Sequence, residues 1–101
     1  MPIEFYPCLY LTYVLQLENN KYYVGASSNV NVRLAAHWTG TGARWTRIHK
    51  PVKVIAIHVG DKEREVTLAT MKTYGWENVR GSSWCQVDMK KPPKDIHFDK
   101  K

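Results

Sequence analysis

Apolar and polar positions alternate in a way that predicts a hairpin early in the chain. Residues 9–17 are apolar at nearly every position, as expected of a central strand covered on both faces. Residues 21–26 read as a second strand, and the polar stretch Glu18-Asn19-Asn20 lies between the two. Loop length decides which side chains share a face. A two-residue loop would pair Tyr13 with Ala26 and send Tyr13 and Tyr23 to opposite faces. A three-residue loop pairs Leu17 with Lys21, Leu15 with Tyr23 and Tyr13 with Gly25, and both tyrosines then share one face. The three-residue loop is the expectation, because Asn20 tolerates the left-handed conformation of a bulged hairpin. Gly25 opposite Tyr13 leaves room for a close approach.

Ser27, Ser28 and Asn29 offer caps to a helix over residues 29–38. Val30, Leu34 and Trp38 form its buried stripe, with Arg33 and His37 on the stripe beside it. Thr39-Gly40-Thr41-Gly42 ends that helix. Residues 43–50 read as an irregular basic segment, in which Trp45 either plugs a core gap or joins Arg44 and Arg47 in contacting phosphate. Pro51 opens a third strand reaching Val59. Asp61 is placed to cap a helix over residues 62–74, and Gly75 to end it as a left-handed glycine. Residues 76–83 read as a loop, and 84–87 as a short strand or docking segment. The lysine-rich residues 89–101 read as an extended tail, and residues 1–8 as an N-terminal arm.

Together these elements predict one α/β domain over residues 1–101, with its core at about 9–88. Its architecture is a small central antiparallel three-stranded sheet flanked by helices. At 101 residues and 44% hydrophobic the chain has enough apolar side chains for one core. No apolar run approaches the ~20 residues that span a bilayer. The N-terminus lacks the pattern of a signal peptide, so an intracellular location is expected, in the cytoplasm or a nucleus. Cys8 and Cys85 are isolated and are expected to stay reduced, and the four histidines are scattered without a zinc pattern. Fifteen Lys and Arg against nine Asp and Glu give a formal charge of +6, which favours polyanionic partners, chiefly nucleic acid.

Tyr13, Tyr23, Arg33 and His37 follow one another at spacings of ten, ten and four residues. With Leu11-Thr12-Tyr13 as a degenerate first motif and Tyr23-Val24-Gly25 as the second, the chain resembles the GIY-YIG endonucleases. Trp45-Thr46-Arg47 ahead of Pro51, and Asn78-Val79-Arg80-Gly81, are similar to segments of small phage and viral members. The resemblance implies DNA cleavage by hydrolysis of a phosphodiester, nicking one strand per active site. It implies a divalent cofactor, Mg²⁺ or Mn²⁺. Tyr13 takes the role of base, Tyr23 orients water or phosphate (the two roles are interchangeable at this stage), and Arg33 grips non-bridging oxygens. His37 holds a phosphate oxygen or relays a proton.

Asn78 matches a position where many members carry a steadying asparagine, while Arg44, Trp45, Arg47 and Arg80 are the expected DNA contacts. Members usually carry one metal-binding glutamate on the helix after the third strand. Counting back from Tyr74-Gly75 reaches Thr67 or Leu68, and Glu63 lies one turn earlier on the same stripe. Glu63 is therefore preferred to Glu65, which lies roughly 200° around the helix from it. Ala26 stands where many members have a lysine. That departure keeps a second function open, a catalytically weak or inactive nucleic-acid-binding module. Specificity is expected from a homo-oligomer, a protein partner or DNA shape.

Overall fold

Two adjacent asparagines turn the chain between its first strands. In a computed structural model that describes residues 6–94, Asn19 and Asn20 both take positive φ, 63° and 58°. The left-handed conformation expected at Asn20 thus extends back to Asn19, within a single 3-10 turn over Glu18–Asn20. The turn joins β1 (Leu11–Leu17) to β2 (Lys21–Ser27) in the three-residue register, with Leu17 opposite Lys21, Leu15 opposite Tyr23 and Tyr13 opposite Gly25. Tyr13 and Tyr23 therefore share a face.

β3 (Pro51–Val59) pairs antiparallel with the other edge of β1. Val14 faces Ala56 and Leu15 faces Val54, so Ile55 is left over as a bulge and turns outward. A fourth strand, β4 (Val79–Gly81), runs parallel to β2, and the sheet order is β3-β1-β2-β4. The sheet is mixed and four-stranded where three antiparallel strands were expected. β4 lies in the stretch read as a loop. Three residues carry no alternation to detect, and their pairing with β2 depends on the helix that brings the chain back.

The faces of the sheet carry different helices. On one, Leu11, Tyr13, Leu15, Leu17 and Tyr23 pack against α1 (Val30–Thr39) and α2 (Arg44–Ile48). Asn29 caps α1 by accepting the Val32 N–H, and Gly40 ends it in a left-handed conformation. Val30 and Leu34 are buried as expected, with Trp38 half-buried. The stretch expected to be irregular is the short helix α2, which turns Trp45 and Thr46 inward and leaves Arg44 and Arg47 exposed.

On the other face Val14, Tyr22, Val24 and Val79 pack with Met71 of α3 (Glu63–Tyr74). Asp61 Oδ1 accepts the Glu63 N–H at 3.4 Å, one residue ahead of the N-cap position, which Lys62 occupies. Thr12 ties this turn to β1, donating to the Gly60 carbonyl and accepting the Lys62 N–H, both at 2.8 Å. Gly75 has φ 95° but an extended ψ of 131°, because the chain leaves α3 directly into a 3-10 turn over Trp76–Asn78 instead of forming the expected left-handed cap.

Residues 84–87 make one bridge, between Gly81 and Trp84, and otherwise dock. Of the expected tail, Met89 packs against the second core and Pro93 is buried, while Lys90, Lys91, Pro92 and Lys94 are exposed. The rest of that tail and the first five residues of the arm lie outside the described residues. In the arm, Tyr6 exchanges hydrogen bonds of 2.9 and 2.8 Å between its backbone and the Asn31 amide.

A Cβ at Gly25 would strike the hydroxyl oxygen and Cζ of Tyr13. Gly25→Ala is expected to cost about 1–3 kcal/mol by overpacking, read as a lower midpoint in urea unfolding. Tyr13→Leu should relieve most of that cost in the double mutant; an unrelieved loss would place the strain elsewhere.

Candidate active site

A buried tyrosine hydroxyl must find its partner inside the protein. Tyr13 has no exposed surface, and its Oη lies 2.8 Å from Nε2 of His37, itself 1% exposed. The His37 Nδ1 lies 2.9 Å from Oγ1 of Thr46, and that hydroxyl reaches the Ala43 carbonyl at 2.8 Å. Tyr23 completes the cluster, with its ring centroid 5.0 Å from the imidazole and tilted by 57°. With both nitrogens engaged and almost no surface, His37 has no face left for a phosphate oxygen. Of the two roles expected for it, proton transfer is the one its surroundings permit.

Arg33 sits one turn before His37 on α1 and is exposed. Its guanidinium charge draws the pKa values of both phenols down. Burial works harder in the opposite direction. It drives Tyr13 well above the usual phenol range, with Tyr23 adding to the rise. It pushes Tyr23 up to about 12, helped by Cys85 and Glu63. Both phenols are therefore neutral at rest. Burial, then the Arg33 charge, lowers His37 to about 4, so the imidazole is neutral too.

Glu63 stands in the first turn of α3 and is half-buried, and its charge reaches both phenols. Burial raises its pKa, opposed first by the nearby Ser82 backbone. Glu65 is exposed. Among the described residues no group of three His, Cys, Asp or Glu converges as a metal cage. A single half-buried carboxylate beside the phenols still suits a hard divalent ion, which takes one or two carboxylates and fills its sphere with water and phosphate oxygens.

The expected DNA contacts divide. Arg44 and Arg47 are exposed on α2. Trp45 is buried and donates its indole N–H to the Tyr22 carbonyl at 3.0 Å, so it fills the core and does not meet DNA. Arg80 is corrected as well. It is 2% exposed, lies 4.3 Å over the Trp45 ring, and gives its N–H groups to the carbonyls of Trp76, Glu77, Val79, Gln86 and Val87. At 2% exposure the guanidinium offers almost no surface to a phosphate. Asn78 is also committed, donating to the Tyr74 carbonyl and accepting from Lys21, both at 2.8 Å.

Thr46, Gly42, Ser82 and Cys85 belong to this neighbourhood without having been singled out. A Cβ at Gly42 would press on Nδ1 of His37. Reading residues 44–48 as a helix would have turned Thr46 inward beside Trp45, and that signal was available in the sequence.

Fold and site together define a small α/β catalytic domain built on a tyrosine hairpin. Residues 9–79 match the GIY-YIG catalytic domain. The chain belongs to the GIY-YIG family, whose family-level chemistry is that of nucleases. A UPF0213 protein of Xanthomonas axonopodis pv. citri is 31% identical over 85 residues, covering 84% of this chain and 79% of the relative. A UPF0213 protein of Neisseria meningitidis serogroup C is 52% identical over 40 residues, 40% of this chain and 44% of the relative. One from Lactococcus lactis is 40% identical over 47 residues, 46% of this chain and 45% of the relative. No solved structure matches the chain. No helix among the described residues is long and apolar enough to cross a membrane.

The buried groups make stability depend on pH and on one guanidinium. An unfolded histidine titrates near 6.5, against about 4 for folded His37, so between those values the unfolded chain binds the extra proton. The His37 contribution to stability is intact above pH 6.5 and is lost as pH falls toward 4, by at most ~1.4 kcal/mol per pH unit. Urea midpoints at pH 7.5 and 4.5 should fall further apart in the wild type than in His37→Gln; equal spacing would mean that folded His37 accepts a proton freely. Arg80→Met leaves five carbonyls without their donor and should cost about 3–5 kcal/mol, seen as a loss of cooperative melting or a large drop in Tm, as for removing one partner of a buried polar network. A variant of native stability with weakened DNA binding would restore Arg80 to the phosphate contacts.

Proposed function

We propose that the protein is a divalent-metal-dependent DNA endonuclease that hydrolyses a phosphodiester and nicks one strand per encounter. The observation that carries this reading is the meeting of Tyr13, Tyr23 and His37 in one buried cluster, with the charges of Arg33 and Glu63 acting on both phenols. Arg33 is exposed and offers a planar fork to the non-bridging oxygens, with charge-assisted hydrogen bonds that strengthen as negative charge builds up.

Tyr13 is the base in this mechanism. At rest it is a neutral phenol closed to solvent, so DNA binding has to open a path for the attacking water to its oxygen; the phenol then accepts a proton from that water as its own proton passes to Nε2 of His37. The water oxygen forms the new P–O bond, the ester P–O bond breaks, and the leaving oxygen is protonated from solvent. His37 then returns its proton to the phenol, which releases the one taken from water. Tyr23, slightly more exposed than Tyr13, orients the water or the phosphate. Glu63 would hold the cation, Mg²⁺ or Mn²⁺, which when bound supplies Lewis-acid charge at the phosphate and leaving oxygen.

Arg44 and Arg47, exposed on α2, extend the phosphate-binding surface, and replacing either with alanine should reduce the salt dependence of DNA binding by about one unit of slope. The substrate is duplex or branched DNA. Site choice comes from DNA shape, an oligomer or a protein partner. A second reading, a DNA-binding module with weak or lost catalysis, is favoured by Ala26, which has no ammonium to offer where many members carry a lysine.

Relaxation of supercoiled plasmid separates the two. Nicking is expected with Mg²⁺ or Mn²⁺ and none with EDTA. Arg33→Ala and Glu63→Gln should each abolish cleavage with the fold intact, Glu63→Gln keeping its DNA binding and Glu65→Gln staying near wild type. Tyr13→Phe should impair cleavage more than Tyr23→Phe. DNA binding without cleavage on duplex, nicked or branched substrates would leave only the binding module. Loss with Glu65→Gln and not with Glu63→Gln would reassign the metal ligand.

A further inference from the structure

The chain of hydrogen bonds behind Tyr13 has a direction. Thr46 has one hydroxyl proton and two neighbours, the Ala43 carbonyl at 2.8 Å and Nδ1 of His37 at 2.9 Å. A carbonyl can only accept. If the hydroxyl pointed at His37, Oγ1 and the Ala43 oxygen would face each other lone pair to lone pair at 2.8 Å. Ala43 also accepts the Thr46 and Arg47 N–H groups at 3.1 Å, so its oxygen does not depend on the hydroxyl; the repulsion still forbids the reversed arrangement. The Thr46 proton therefore goes to Ala43, and its lone pair faces Nδ1. That nitrogen must carry the ring proton, which leaves Nε2 as the acceptor.

At the other end of the chain the Tyr13 Oη lies 2.8 Å from Nε2, so the phenol can donate to the nitrogen left as acceptor. Thr46, His37 and Tyr13 are all at most 1% exposed, so solvent does not compete for any of these groups. Gly42 presses the start of α2 close to the ring, and a Cβ there would strike Nδ1.

We propose that Thr46 is a positioning residue that holds neutral His37 in its Nδ1–H tautomer and so keeps Nε2 available for the Tyr13 proton. Its catalytic consequence rests on the endonuclease reading above, whereas the tautomer itself does not. Thr46 touches no substrate and acts only through the imidazole. With Nδ1 unprotonated, Nε2 would carry the hydrogen, point it at Tyr13 Oη and leave the phenol proton without a destination. The arrangement also suits the protonated ring, because an imidazolium would donate from Nδ1 to Thr46 and from Nε2 to the phenol oxygen.

The test reads the proton directly. ¹⁵N-detected imidazole spectra of the full chain at pH 7.5, with His37 assigned by its loss in His37→Gln, should show a protonated Nδ1 and an unprotonated Nε2. Thr46→Val keeps the shape and removes the acceptor, and should shift His37 to the Nε2–H tautomer or to a mixture. Thr46→Ser should restore the wild-type spectrum. In single-turnover plasmid nicking, Thr46→Val should slow the chemical step by roughly 10–100-fold, the range common when a group that orients a functional histidine is removed. DNA affinity should stay unchanged, and Thr46→Ser should recover most of the rate. An Nε2–H ring in the wild type overturns the proposal, as does an unshifted tautomer in a folded Thr46→Val. If the chain cleaves no DNA at all, the endonuclease reading fails, while the wild-type spectrum still decides whether Thr46 sets the tautomer.

Discussion

The hydroxyl of Tyr13 is sealed from water in the middle of a sheet, and it has to be satisfied by protein atoms. Much of the site arrangement follows from that requirement. The cross-strand neighbour must be glycine, because any Cβ there would occupy the space of the phenol. A helix must bring a nitrogen to the hydroxyl, and α1 brings His37. The second nitrogen of that ring then needs its own partner, which α2 supplies in Thr46. A single buried oxygen thus connects a hairpin and two helices, and each connection lowers the number of ways the cluster can be arranged.

Arg80 anchors the far side in a comparable way. A buried guanidinium would be costly alone, and five backbone carbonyls and the Trp45 ring compensate it. Those carbonyls belong to the turn after α3, to β4 and to the docked segment beyond it. Arg80 therefore holds in place the strand that leads into Ser82, whose backbone lowers the pKa of Glu63. Two sides of one site are kept by two buried polar groups, one neutral and one charged. The exposed Arg33 is left to meet what arrives from solvent.

Burial also explains why the phenols wait. Both are held neutral by desolvation against the pull of one guanidinium. A cation placed beside the phenols would tip that balance, because the low-dielectric surroundings that raise the phenol pKa also strengthen a nearby charge's effect.

The hairpin, its register and the shared face of the two tyrosines were legible from local pattern alone, since a side-chain period of two and an asparagine turn leave few alternatives. The Arg33 and His37 stripe was legible from helical spacing, whereas the preference for Glu63, half-buried where Glu65 is exposed, came from the family resemblance. What local pattern does not carry is the partner of a short or charged segment. β4 has three residues and pairs in parallel with a strand more than fifty residues earlier. Trp45 and Arg80 look like a basic, aromatic nucleic-acid surface in sequence, and packing instead stacks them on each other inside the protein. Thr46 acquires its meaning only when α2 turns it toward His37. Periodicity and turn chemistry act over a few residues, so the sequence by itself determined which elements form and which faces are apolar. Burial of a charge or a hydroxyl depends on whether distant backbone and side-chain partners converge on it, and only the tertiary structure decided that.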